Sequence, residues 1–281
     1  MKQFILKEHP GRDGIVRLEG SDYRYLVRVR RLAVGEYFPA LLPGGGETLI
    51  KILSTGGNIL TGQVCGIQSG GAEDGGISAL NRLSTQAGSQ NSAGNLPPIY
   101  LLQALPKGDK MDLIVRQAAE SGIAQIFPFI SEFSIKRTAD VNETKLSRWE
   151  KIIREARQQS GSKTDTVIHK PMLMGDLMKY WQKLSSEGAV GILFHHEGLE
   201  QKCLHSYLNN NSNLIALAVG PEGGFSDSEV SLFKENGFEP LTIGNTILRT
   251  ETAALFFTAA VKVILLERDL WELRKTKSGS V

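Results

Sequence analysis

The chain has 281 residues, 41% apolar and 22% charged, with 32 Lys and Arg against 30 Asp and Glu for a net charge of +2. That mix excludes a disordered tail, a coiled coil and a collagen-like fibre, and at roughly 150 residues per domain the length accommodates about two domains. Near-neutral charge permits a nucleic-acid partner without requiring one, so only a local basic patch can argue for it.

Two cysteines, Cys65 and Cys203, cannot build a disulfide framework and lie in no C-x-x-C pair, which points to a reducing compartment. The apolar stretch Phe4-Ile5-Leu6 is too short for a signal peptide. The longest apolar run, 253–266, is interrupted by Lys262 and falls short of the roughly 20 residues that span a bilayer. A cytoplasmic protein without membrane contact is expected.

Short apolar runs at 15–18, 37–42, 48–53 and 59–64 are separated by turn clusters such as Gly44-Gly45-Gly46 and Gly56-Gly57-Asn58. They read as strands of a small barrel, with one short helix over 21–34. Residues 66–98 contain seven Gly, five Ser and no aromatic residue. That composition offers too little apolar surface to offset chain ordering and predicts a flexible linker. The division is therefore a barrel at 1–65, a linker at 66–98 and a second domain at 99–281.

The second domain alternates. Strands are expected at 99–105 and 123–130. Between them lies a helix over 109–121, whose Met111, Ile114, Val115, Ala118 and Ala119 share one face. Leu146, Trp149, Ile152, Ile153 and Ala156 mark another helix. The continuous apolar runs 189–194 and 214–219 suit parallel strands buried on both faces. Ser226-Asp227-Ser228-Glu229 is a capping box and Asn236-Gly237 a helix stop. A short strand is expected at 241–243 and a long apolar helix from Thr250. The pattern is α/β with a mostly parallel sheet, whose ligands sit at the carboxyl ends of the strands.

Three loops fall at such ends: Phe194-His195-His196-Glu197, Gly220-Pro221-Glu222-Gly223-Gly224, and 244–249 with Arg249 last. The glycine loop reads either as a simple turn or as bare backbone that a flat ligand can approach. No G-x-G-x-x-G follows a strand and no P-loop motif occurs, which argues against those phosphate sites. Thr250 or Glu251 can cap the last helix. Arg249 is either a solvated charge or a holder of an anionic group. The paired histidines lack the companions of a zinc set, so no metal is expected. In the barrel, Arg24, Arg28, Arg30 and Arg31 interleave with Tyr23 and Tyr25, and residues 1–65 carry nine Lys/Arg against six Asp/Glu. This is either a solvated face or an RNA-contacting one.

Five segments together, 25–36, 105–123, 148–161, 217–229 and 242–255, resemble the bacterial 16S ribosomal RNA (uracil-N3)-methyltransferases, an RsmE-type family of the SPOUT class. LAVGPEGGFSDSE and TIGNTILRTETAAL are the most specific pair. The resemblance implies a PUA-like RNA-binding barrel and a trefoil-knotted domain that binds S-adenosylmethionine. It also implies a homodimer packed around the knot through helix 251–266, acting on 16S RNA of the 30S subunit without a metal. Cofactor contacts would come from Phe194, His195, Val219, Gly220, Pro221, Glu222, Gly223, Gly224, Ile243, Gly244, Leu248 and Thr250. Arg249 would orient the uridine or stabilise its charge, with Glu251 or Glu222 as base or orienting carboxylate. RNA contacts would come from Arg24, Tyr25, Arg28 and Arg31. The chain departs from the family pattern at Tyr25 in place of His, at Phe133 in place of Arg, and at Gln158 and Ser162, where the family carries charges. Two other readings are a knotted methyltransferase for a different RNA and a non-catalytic ribosome-assembly factor.

Overall fold

The computed structural model describes residues 4–43, 46–65, 96–135, 138, 141–185, 188–195, 200–208 and 212–277, with side chains in the last helix described as far as Glu267. The chain divides into two compact units, Met1–Ser92 and Ala93–Val281. The predicted linker lies mostly outside the described residues, of which 96–98 are its end.

The first unit is a curled sheet of five strands: β1 (Phe4–Ile5), β2 (Ile15–Glu19), β3 (Tyr37–Leu41), β4 (Glu47–Gly56) and β5 (Ile59–Cys65), in the order β1-β3-β4-β5-β2. All pairings but the parallel β1–β3 are antiparallel. Its core is Phe4, Leu18, Leu26, Phe38, Ile50, Ile52 and Leu60. The single helix expected over 21–34 is instead one α turn, α1 (Gly20–Tyr23), followed by a π-helical segment, Arg24–Val29. It ends where Leu32 N–H bonds the Leu26 carbonyl and Arg31 turns left-handed at φ 56°. Leu26 is fully buried while Arg24, Arg28, Arg30 and Arg31 are exposed. π segments are rare and concentrate at functional sites.

The second unit is a parallel sheet of seven strands: β6 (Ile99–Ala104), β7 (Gln125–Ile130), β8 (Val167–Ile168), β9 (Met172–Leu173), β10 (Ala189–Phe194), β11 (Leu214–Val219) and β12 (Phe238–Leu241). The order is β12-β10-β11-β6-β7-β8, with β9 also on β7. Helices α2 (Lys110–Glu120), α3 (Glu143–Ser160), α4 (Met174–Leu184), α5 (Leu204–Tyr207), α6 (Asp227–Glu235) and α7 (Thr250–Lys277) complete the unit. Residues of one strand divide by alternation. Ile215, Leu217 and Val219 of β11 join a core with α2, α3 and α7, while Leu214, Ala216 and Ala218 join one with α4 and α6. Burial on both faces is why these strands are apolar throughout.

Several expectations need correcting. The strand expected at 241–243 lies at Phe238–Leu241, because Gly237 (φ 79°) turns the chain early and Phe238 packs among Trp181 and Phe233. Thr242 and Ile243 are thereby released into a loop. Helix α4 was not anticipated, although Leu177, Met178 and Trp181 form its buried stripe. Lys262, which interrupts the apolar run, donates to the Ser121 carbonyl just past the end of α2 at 2.5 Å. Burial lowers its pKa. Among the described residues no helix is long and apolar enough to cross a membrane.

Gly191 in β10 faces the ring of Phe238 so closely that a Cβ would meet it at 2.7 Å. Because Phe238 is 2% exposed and hemmed in by aromatic rings, it cannot retreat. Gly191→Ala is expected to destabilise the protein by about 1–3 kcal/mol, the usual cost of overpacking, read as a lowered urea midpoint.

Candidate active site

β10 lies between β11 and β12, so the loops leaving the carboxyl ends of those three strands converge. They enclose a cavity of about 420 Å³, within the size range of small-molecule sites. Every residue expected to contact the cofactor lines it: Phe194, His195, Val219, the loop 220–224, Ile243, Gly244, Leu248 and Thr250. His195 is buried, and His196 lies outside the described residues.

The walls are fixed by backbone chemistry. Gly224 N–H bonds the Pro221 carbonyl at 3.0 Å, folding the glycine loop so tightly that a Cβ on Gly220 would stand 3.2 Å from the Gly224 backbone. Gly244 has φ 74°, a conformation side chains resist. Thr242 Oγ1 donates to the His195 carbonyl at 2.8 Å, and His195 N–H donates to the Leu241 carbonyl at 3.2 Å, joining two of the loops. Gln201 holds the same threonine through both backbone groups.

The third tie comes from Thr250, the first residue of α7. Its hydroxyl donates to the Gly220 carbonyl at 2.7 Å and accepts from Gln103 Nε2 at 3.0 Å. The expectation that Thr250 caps α7 is thus corrected: its hydroxyl joins groups distant in sequence, the Gly220 carbonyl and the Gln103 amide. Ala253 and Phe257 on the following turns complete an apolar floor, with the Phe257 ring stacked on Phe194.

Asn245, Thr246 and Ile247, inside the loop 244–249 singled out from the sequence, line the cavity as well. Phe225, Thr242, Ala253 and Phe257 also line it and are not among the expected contacts: the sequence reads Thr242 as strand, and Ala253 and Phe257 as generic apolar helix surface.

The charged residues sit apart. Glu222 lines the cavity, but both its oxygens accept the Lys107 N–H, at 3.1 and 3.2 Å, and Lys110 Nζ binds it at 2.8 Å. Glu251 Oε2 stands 3.7 Å from the same Lys110 and has no hydrogen-bond partner among the described residues. Arg249 is exposed and is not among the cavity-lining residues.

Of the four departures, Phe133 packs against Gly223. Gln158 is buried in α3 beside Arg157, whose guanidinium pairs with Asp165 at 2.5 Å. Tyr25 packs on the barrel core. Ser162 N–H donates to Ser160 Oγ just past the end of α3. Arg28 donates to Asn58 Oδ1 at 3.5 Å, so the hairpin tip and the π segment share the basic face. Among the described residues no group of three or more His, Cys, Asp or Glu could hold a metal ion.

Burial alone would raise the Glu222 carboxyl. The hydrogen bonds from Lys110 and from the backbone N–H groups of Glu222 and Lys107 outweigh it and leave its pKa below the ordinary value. Lys110 is raised, chiefly by its hydrogen bond to Glu222 and against the opposing effect of burial. A carboxyl depressed on folding stabilises the protein above its unfolded pKa and loses that contribution as pH falls through the folded one. The stability difference between wild type and Glu222→Gln should therefore hold steady near neutrality and shrink as pH drops below about 4.5. Urea titrations at a series of pH values check it; a difference independent of pH down to about 3 would contradict it.

A family model described as an RNA methyltransferase domain matches residues 94–262. The ribosomal RNA small subunit methyltransferase E of Synechocystis sp. is 30% identical over 257 residues, covering 90% of this chain and 74% of that protein. The ribosomal RNA small subunit methyltransferase E 2 of Borreliella burgdorferi is 28% identical, covering 94% and 98%. The fold is similar to that of the Neisseria gonorrhoeae ribosomal RNA small subunit methyltransferase E, whose structure has S-adenosyl methionine bound. The TM-score is 0.70 at 24% identity, over 94% of this chain and 98% of that one. The chain thus belongs to the RNA methyltransferases, in the family of the ribosomal RNA small subunit methyltransferases E.

Proposed function

We propose that the protein transfers the methyl group of S-adenosylmethionine to N3 of a uridine in 16S RNA of the small ribosomal subunit. The observation that carries this reading is the cavity at the ends of β10, β11 and β12, lined by glycine backbone on one side and by Phe194, Val219, Ile243 and Leu248 on another. Its size and its mixture of apolar wall and bare N–H and C=O groups fit a cofactor with a flat adenine and a polar amino-acid tail. The bound cofactor would supply an electrophilic sulfonium methyl, so the transfer is a direct displacement that calls for no metal.

The protein's own residues then have two tasks, alignment of the nucleophile and removal of the N3 proton. Glu222 is poorly suited to the second. Its carboxylate is held ionised by Lys110 and two backbone donors, so it serves better to anchor the glycine loop. Glu251, at the start of α7, pairs its Oε2 with Lys110 at 3.7 Å but takes no hydrogen bond there among the described residues; it is the second candidate carboxylate to orient the base or take its proton. Arg249, exposed beside the cavity-lining Leu248 and Thr250, is free to meet the developing imide charge or the target phosphate.

The same reading assigns the barrel at 1–65 to RNA, through Arg24, Tyr25, Arg28 and Arg31. It assigns 66–98 to a linker and 99–281 to a knotted catalytic domain acting in the cytoplasm. A homodimer is supported by the apolar side chains that α7 leaves exposed, Leu255, Phe256, Val263 and Leu266.

Incubation of unmethylated small subunits with methyl-labelled S-adenosylmethionine should yield N3-methyluridine by nucleoside mass spectrometry. Label in another nucleoside, or none, would contradict the assignment. Arg249→Ala should lower kcat by about 10²–10³, the usual effect of losing one donor to developing charge, with cofactor affinity preserved. Full methylation by that variant would remove Arg249 from the mechanism.

A further inference from the structure

We propose that Phe133 is the platform on which the incoming pyrimidine base of the RNA stacks, a role that rests on the methyltransferase reading above. Phe133 follows β7, at the same carboxyl edge of the sheet as the cavity loops. Its side chain lies against Gly223, where an added Cβ would meet Phe133 Cβ at 3.0 Å and the ring Cγ at 3.3 Å. Gly223 is itself a wall of the cavity. The phenyl group therefore touches the loop that forms the methyl-donor site, yet the residue remains 47% exposed.

Other phenylalanines of this unit bury their rings against one another, as Phe129, Phe225 and Phe233 do. Among the described residues Phe133 stacks on no ring. The segment that carries Phe133 is held by hydrogen bonds on both sides of it. Ser131 Oγ donates to Glu229 at 3.0 Å, and Glu132 N–H donates to the same buried carboxylate at 2.9 Å. Ser134 Oγ donates to the Leu105 carbonyl at 3.1 Å and accepts the Ser131 N–H at 3.2 Å. The backbone that carries the ring is thus held before any ligand arrives, so stacking entails little ordering of the loop.

The cavity beside it selects the ligand: an exposed aromatic face against the wall of the methyl-donor site is a platform on which an unpaired base stacks. An enzyme acting on N3, which is hidden in a base pair, needs its target unstacked from neighbouring bases.

The test compares Phe133→Ala, Phe133→Leu and Phe133→Trp with wild type, using methylation of small subunits and calorimetry with S-adenosylmethionine. Ala and Leu should each lower kcat/KM by about 5- to 150-fold, the range for one lost stack, with cofactor affinity within about twofold of wild type. Trp, which keeps the π-face, should retain most of the activity. Wild-type rates with Phe133→Leu would mean that the residue only packs, and would overturn the proposal. So would cofactor affinity falling in step with rate, which would make Phe133 a support for Gly223. Wild-type protein that binds no S-adenosylmethionine and labels no RNA would instead remove the underlying reading.

Discussion

The site depends on the hydroxyl of Thr250. It lies between the Gln103 amide and the Gly220 carbonyl, and so ties the end of β6, the loop after β11 and the first turn of α7. These segments are 147 and 30 residues from Thr250 along the chain. Thr250 and Gln103 are buried, at 4% and 0% exposure, where a polar group left without a partner costs about 1–3 kcal/mol. The three segments are therefore held together, and the cavity is the space this arrangement leaves. Thr242, bonded to the His195 carbonyl, makes the corresponding tie on the other side.

The architecture explains the charge distribution. A parallel sheet covered on both faces leaves its strand ends as the place where polar loops can meet. The cavity walls combine glycine backbone and apolar side chains with Glu222 and a few neutral polar groups, while Lys107, Lys110, Glu251 and Arg249 are not among the lining residues. A sulfonium donor needs a shaped pocket, whereas the acceptor needs charges that hold a phosphate and manage a proton. Lys110 pairs with both carboxylates at that edge, closely with Glu222 at 2.8 Å and more loosely with Glu251 at 3.7 Å.

Much of this was legible because strand ends announce themselves. The runs 189–194 and 214–219 coincide with β10 and β11, and the residues following them could be placed at the carboxyl edge without coordinates. The Ser226 capping box was equally plain, since its reciprocal bonds are local. What remained hidden depends on distant partners. Nothing near Phe257 in sequence says that its ring will lie on Phe194, and nothing near Thr250 reveals Gln103. Thr242 and Ile243 looked like strand because β-branched residues favour strands, while the packing of Phe238 decided otherwise. The π segment at Arg24–Val29 follows from no local propensity that the sequence displays.

The central claim is that S-adenosylmethionine occupies the space between the loops after β10, β11 and β12, and hydrogen exchange with mass spectrometry tests it most directly. Backbone amides of 219–225 and 242–248 are predicted to gain protection on addition of S-adenosylmethionine, with those of the barrel strands unchanged. Protection absent from both loops, or confined to the barrel, would contradict the account.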